Sequence, residues 1–170
     1  MNLKNYNLTE HYTKLSAEMR VYEEQDNRYA YIFRYIRKLS DALAIKGDLG
    51  KNITKAYHEN NVDYLKQVVE SVLPELKEKV KILWEDHMNW WFEINKPQGW
   101  EVMDIRYGGV MARIDSVKKR LTDYLEGREL RLEELEEKKQ PYHNQPGLTA
   151  CNNYARIPTA SRISIGATLR

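Results

Sequence analysis

The feature that most constrains this chain is the near-continuous helical spacing of its apolar residues. Leu, Ile, Val, Met and aromatic side chains recur three and four positions apart, and strand-like alternation is scarce. The usual interrupters are few, with eight glycines and five prolines among 170 residues. Tyr12, Leu15, Met19 and Tyr22 line one face of a first helix starting near Thr9. Asp26-Asn27 offers an N-cap for a second helix carrying Ile32, Ile36, Leu39 and Leu43. Gly47 and Gly50 are expected to end that helix around a turn at Asp48-Leu49, and Asn52 to cap a short helix through Ala56 and Tyr57. Asn60-Asn61 interrupts the pattern and Asp63 is expected to cap the next run, Leu65, Val68, Val69, Val72 and Leu76. Pro74 lies inside it, so the helix either kinks or restarts with Pro74 in its first turn. The spacing resumes through Val80, Leu83, Trp84, His87, Met88 and Trp91 until Asn95-Lys96-Pro97-Gln98-Gly99 stops it.

A helix from about Met103 to Glu126 follows, with Val110, Ile114, Val117, Leu121 and Tyr124 on one face and Gly127 at its C-terminus. A short acidic helix spans Leu132 to Lys138, and Pro141, Pro146 and Gly147 open a tail. The expected architecture is all-α: five to six mostly antiparallel helices with an irregular C-terminal tail. Residues 1–8 form a flexible N-terminus, 9–140 the bundle, and 141–170 an extended tail packed on the bundle or on a partner domain.

Composition narrows the function classes. The formal charge is only +2, which argues against a nucleic-acid partner, since phosphate binding needs a basic excess on one face. The patch Arg113, Lys118, Lys119 and Arg120 has acidic residues interspersed and no interleaved aromatic. No apolar run approaches the ~20 residues that span a bilayer, and the first residues lack the apolar core of a secretion signal. A lone cysteine, Cys151, excludes an internal disulfide framework, and a cytoplasmic setting is the expectation. His11, His58, His87 and His143 are scattered without metal-ligand spacing, so neither a metal nor a cofactor is expected. The run Glu133-Glu134-Leu135-Glu136-Glu137 reads as a solvated helix face beside Lys138 and Lys139. No phosphate-cradling glycine loop or hydrolase nucleophile motif occurs.

Two features remain. Trp84 and Trp91 share a face with Leu83 and Met88 and read as core, whereas Trp90 points roughly 100° away from Trp91. Trp100 lies in a presumed loop, where it is either a hydrophobic plug, a partner contact or a platform for a sugar ring. That loop, Asn95 to Gly109, concentrates special residues. Gly108 and Gly109 each cost a helix about 1 kcal/mol, so close backbone packing is expected there and at Gly99. Asp104 and Arg106 either pair locally or clamp neighbouring helices.

The stretch Asn95-Lys96-Pro97-Gln98-Gly99-Trp100-Glu101-Val102-Met103-Asp104-Ile105-Arg106-Tyr107-Gly108-Gly109-Val110 resembles the Asn-Lys-Pro-x-Gly-Phe-Glu-Val-x-Asp-Ile-Arg-Leu-Gly-Gly-Leu segment of certain bacterial β-N-acetylhexosaminidases of glycoside hydrolase family 20. In those enzymes it lies in the helical domain after the catalytic barrel. Leu43-Ala44-Ile45-Lys46-Gly47-Asp48-Leu49-Gly50 with Ala56-Tyr57 is similar to another segment of that domain, with Gly47 at an alanine position. Asn153 to Ala160 is similar to its close, so the likeness runs from about Thr9 to the end. Trp100 and Tyr107 depart from the usual Phe and Leu. The resemblance implies an accessory helical domain that supports a catalytic barrel, mediates dimerisation or lends residues to the rim of a sugar site. On that implication, Asn95, Lys96, Trp100, Glu101, Asp104 and Arg106 are the contact or sugar-rim candidates. Family 20 catalysis uses an Asp-Glu pair on barrel strands and the substrate's own N-acetyl group. A barrel takes ~250 residues, so no carboxylate of this chain is assigned a catalytic role. The implied partner is a catalytic barrel in the same or a separate chain, with a homodimer also compatible. The rival reading is a free-standing helical interaction module. A self-sufficient small enzyme is a weaker third, for want of a convergent nucleophile, base or metal set.

Overall fold

The structure, a computed structural model, describes residues 6–25 and 28–137. Helix α1 spans Leu8–Glu24, α2 Ala30–His58, α3 Val62–Gln67, α4 Leu73–Ile94, α5 Trp100–Leu125 and α6 Glu133–Glu136, with a π-helical turn, Val68–Val72, between α3 and α4. No strand occurs among the described residues, so the fold is all-α as the spacing implies. Cross-helix pairs set the directions. Ser16 meets Asp41 between α1 and α2, Tyr31 meets Trp90 and Arg34 meets Asp86 between α2 and α4, and Lys77 meets Asp115 while Trp84 meets Asp104 between α4 and α5. Each of these neighbours is antiparallel.

The largest departure from the sequence reading is in α2, which runs through Gly47 and Gly50 without a break and absorbs Asn52. Gly47 serves α1 instead. A Cβ there would lie 2.8 Å from Cβ of Leu8, so its bare backbone admits the first turn of α1. Asp48, expected in a turn, accepts from the Thr9 N–H at 3.2 Å, and Asn7 caps the Glu10 N–H at 3.0 Å. Two of the four free amides of α1 are satisfied in this way. Tertiary contacts thus outweigh the helix penalty of two glycines.

The next connection is a C-terminal cap without glycine. Asn60 takes φ 52°, a left-handed conformation that asparagine tolerates, and Asn60 and Asn61 N–H groups return to Tyr57 and Ala56 carbonyls. Asn61, not Asp63, then caps α3 by accepting from the Tyr64 N–H at 3.1 Å. Asn61, directly before α3, holds non-helical angles, φ −80° and ψ 78°, that let its side chain reach back over the first turn. Pro74 takes the second of its two options, a restart, with a π turn before it. Its ring would crowd the carbonyl four residues back. The turn before it widens to π geometry, with Leu73 N–H reaching Val68 carbonyl, and α4 begins with Pro74 in its first turn. At the end of α5, Gly127 adopts φ 73°, and the Gly127 and Arg128 amides bond to Tyr124 and Asp123 carbonyls as the sequence suggests.

The aliphatic core sits towards one end of the bundle. It joins Ala42, Leu49, Ile53, Ala56 and Tyr57 of α2 with Leu65, Val68 and Val69, Leu73, Leu76 and Val80 of α4, and Ile114 and Leu121 of α5. Leu132 closes it, and Tyr57 ties that corner down by accepting from the Leu132 N–H at 3.1 Å and donating to Glu136 at 2.5 Å. The stripes foreseen for the first two helices contribute less. Ile36, Leu39, Leu43, Tyr12, Leu15 and Met19 are only half-buried, and Ile32 and Tyr22 are exposed. The physical reason is that α1 packs chiefly on α2, so their shared apolar face has no third layer over it.

Candidate functional site

The opposite end of the bundle is aromatic. Here α4 ends and α5 begins, joined by the turn 95–99. Successive residues on α4 divide the packing, as their ~100° rotation requires. Trp90 turns to α2, stacking on His87 at 4.9 Å and meeting Tyr31 and Tyr35, whereas Trp91 meets Trp100 at 5.8 Å.

Trp100 is not in a loop. It is the first residue of α5 and only 4% exposed, packed against His87, Trp91 and Phe92. It acts as a plug, and its burial leaves no face for a sugar ring to stack on. Trp84 and Trp91, read as core, are only half-buried. The misreading of Trp100 comes from placing the α5 start at Met103. Glycine at 99 with φ 99° ends the turn, so the helix starts immediately after it. Glu101 then closes the start by accepting from the Gly99 N–H at 2.8 Å.

The early start also moves Gly108 and Gly109 from a loop edge into the middle of α5. A Cβ at either would meet nothing within 4 Å, so the expected close backbone packing is absent among the described residues. Neither takes a positive φ. Gly109→Ala should therefore raise the unfolding free energy by about 1 kcal/mol, measured by urea denaturation.

The remaining candidates separate. Asn95 and Lys96 are exposed in the turn, which is fixed from beneath by the Trp91 indole N–H donating to the Lys96 carbonyl at 3.2 Å. Asp104 clamps α4 by accepting from the Trp84 indole at 2.9 Å. Arg106 lies on nearly the opposite side of α5, since two residues turn the helix by ~200°, so the local Asp104–Arg106 pair does not form. The structure thus brings Asn95, Lys96, Gly99, Trp100 and Glu101 together at one corner and leaves Arg106 and the two glycines outside it.

Beneath the corner is a polar cluster that periodicity alone did not reveal. Buried Asp86 accepts from Arg34 at 2.7 Å and pairs with Lys38 at 2.9 Å. Its second oxygen and the Trp90 indole nitrogen, one helical turn apart, are buried without partners. His87 Nδ1 lies 3.0 Å from the Tyr107 hydroxyl. Burial, with a hydrogen bond that the Tyr107 hydroxyl donates to Tyr35, holds the Tyr107 phenol far above the usual tyrosine range. Burial likewise pushes the His87 imidazole below its ordinary value of 6.5, against the pull of Asp86. A histidine kept neutral by the fold binds fewer protons than it does unfolded. Stability contributed this way is complete above pH 6.5 and lost as pH falls towards the lowered value. His87→Gln should flatten that acid-side loss in denaturation curves recorded across this window.

Other chemistry is sparse. A recess of about 170 Å³ between α2, α5 and α6 is lined by Ile53, Val117, Leu121, Leu132 and Leu135, with Glu134 held by Arg120 at its edge. Glu133, Glu134, Glu136 and Glu137 are exposed as the sequence suggests, while Glu134 and Glu136 also bond to Arg120 and Tyr57 on neighbouring helices. Among the described residues no group of three His, Cys, Asp or Glu could hold a metal ion, and no helix is long and apolar enough to cross a membrane. Cys151, His143, the Asp26-Asn27 cap, Lys138 and Lys139, and the tail 141–170 with Asn153 to Ala160 lie outside the described residues.

The described residues form an all-α bundle whose most distinctive corner is an aromatic turn, which defines a helical-bundle domain. The family model described as the Glycoside Hydrolase 20C C-terminal domain matches residues 1–152, and the chain belongs to that family. A search of curated proteins finds no match.

Proposed function

We propose that this domain serves a family 20 β-N-acetylhexosaminidase by bracing its catalytic barrel, and that the turn 95–99 stands at the rim of the sugar site. The observation that carries this reading is the construction of the turn. Its outer side chains, Asn95, Lys96 and Gln98, are exposed and polar, while its base is locked by buried Trp100 and the Trp91–Lys96 bond. Polar groups on a rigid support are what a sugar rim requires, since hydroxyl recognition depends on donors and acceptors held in place. Family membership supports a catalytic domain as the companion. Trp100 acts by holding the turn, not by touching a glycan.

The test is made on the barrel with this chain bound. Saturating chain should raise the melting temperature of the barrel, since a partner that binds only the folded state stabilises it. Asn95→Ala and Lys96→Ala should raise KM for a chromogenic N-acetylglucosaminide without moving that melting temperature. Unchanged KM in both variants would remove the rim role and leave bracing alone.

A further inference from the structure

We propose that the catalytic barrel docks on the aromatic end of the bundle, where α2 and α5 begin and α1 and α4 end; this rests on the accessory-domain reading above. The first argument is the uneven distribution of apolar surface. Val21, Ile32, Phe92, Ile94 and Ile105 are all exposed near this end, with Phe92 at 46% and Ile94 at 58%. The far end holds the aliphatic core and exposes Tyr6, Val62 and Leu130. Phe92 and Ile94 stand two residues apart at the end of α4, and large apolar side chains exposed side by side in this way are a mark of a surface that a partner covers.

The second argument is anatomy. Exposed Asn95, Lys96 and Gln98 border Phe92 and Ile94, and Phe92 rests on buried Trp100, which packs on Trp91. An aromatic and aliphatic centre within a polar margin is the usual composition of a protein–protein interface. The third argument concerns the occupant. The long segment similar to the hexosaminidase helical domain, Asn95 to Val110, begins at this end, and membership of that domain family points to a catalytic domain as the partner.

The experiment titrates the full 170-residue chain into the family 20 catalytic barrel of the same organism by calorimetry. Phe92→Asp and Ile94→Asp should each weaken binding by about 30-fold or more, the effect of losing an interface hot spot. Val62→Asp and Leu130→Asp at the far end should leave binding within about 3-fold. Both mutated sets are exposed, and unchanged helical circular dichroism verifies folding. If only the far-end variants weaken binding, the docking face is wrong and the accessory reading stands. If the aromatic-end variants dissolve a homodimer in sedimentation yet leave barrel binding intact, a second copy is the occupant and the proposal fails. If the unmodified chain does not bind the barrel, the accessory reading itself fails.

Discussion

Trp100→Ala is expected to lower the unfolding free energy by about 3–5 kcal/mol, the cost of deleting a buried aromatic side chain whose cavity cannot collapse. The indole is 4% exposed and touches rings on three sides, His87 at 5.0 Å, Phe92 at 5.7 Å and Trp91 at 5.8 Å. It is also the residue from which α5 starts, so its loss frees the turn 95–99 and the cap that Glu101 makes with Gly99. Equilibrium urea unfolding measures the cost. Phe92→Ala, a change at the exposed neighbour, serves as the comparison and should cost far less. A loss below about 1 kcal/mol for Trp100→Ala would mean that the corner does not depend on its plug.

Asp86→Ala is expected to cost a similar amount, about 3–5 kcal/mol, because removing one member of a buried ion pair strands the other. Lys38 is the stranded partner, with a side chain only 19% exposed, whereas Arg34 retains access to water. The pair is shielded from solvent, so the cost should persist between low and high salt. Breaking the exposed Lys14–Glu10 pair should by contrast leave the denaturation midpoint where it is. If Asp86→Ala is neutral, the unpartnered second oxygen of Asp86 already offsets what its two cations contribute.

Much of the fold was legible because helices with one apolar face announce themselves by spacing. Ile114 and Leu121 on α5, and Leu65, Val68 and Leu76 before and within α4, are buried where the spacing puts them. Gly127 marks its helix end because a left-handed residue is needed there. Glycine was read as an interrupter at positions 47 and 50, whereas α2 runs through both, and as a mark of close packing at 108 and 109, where a Cβ would meet nothing within 4 Å. At Gly47 the reason is a long-range contact, the approach of Leu8, which no local pattern encodes. The half-exposed stripe of Ile36, Leu39 and Leu43 shows the same limit, since periodicity reports which face is apolar but not whether anything covers it.

The candidate corner was legible in part. A long ungapped likeness drew attention to Asn95–Gly109, and the structure brings its first seven residues into one rigid turn and helix start. What it could not show was that Trp100 faces inward, because a three-residue error in the helix start reverses which side chains face water. Asp86, Arg34 and Lys38 carried no signal of their own. They are ordinary charged residues on two helices, and only antiparallel packing of α2 on α4 brings them together.

The most direct measurement of the central claim is hydrolysis of a chromogenic N-acetylglucosaminide by three samples: this chain alone, the family 20 barrel alone, and the two together. The account predicts no hydrolysis by the chain alone and faster hydrolysis by the pair than by the barrel. Turnover by the chain alone, or a barrel indifferent to its presence, would contradict it.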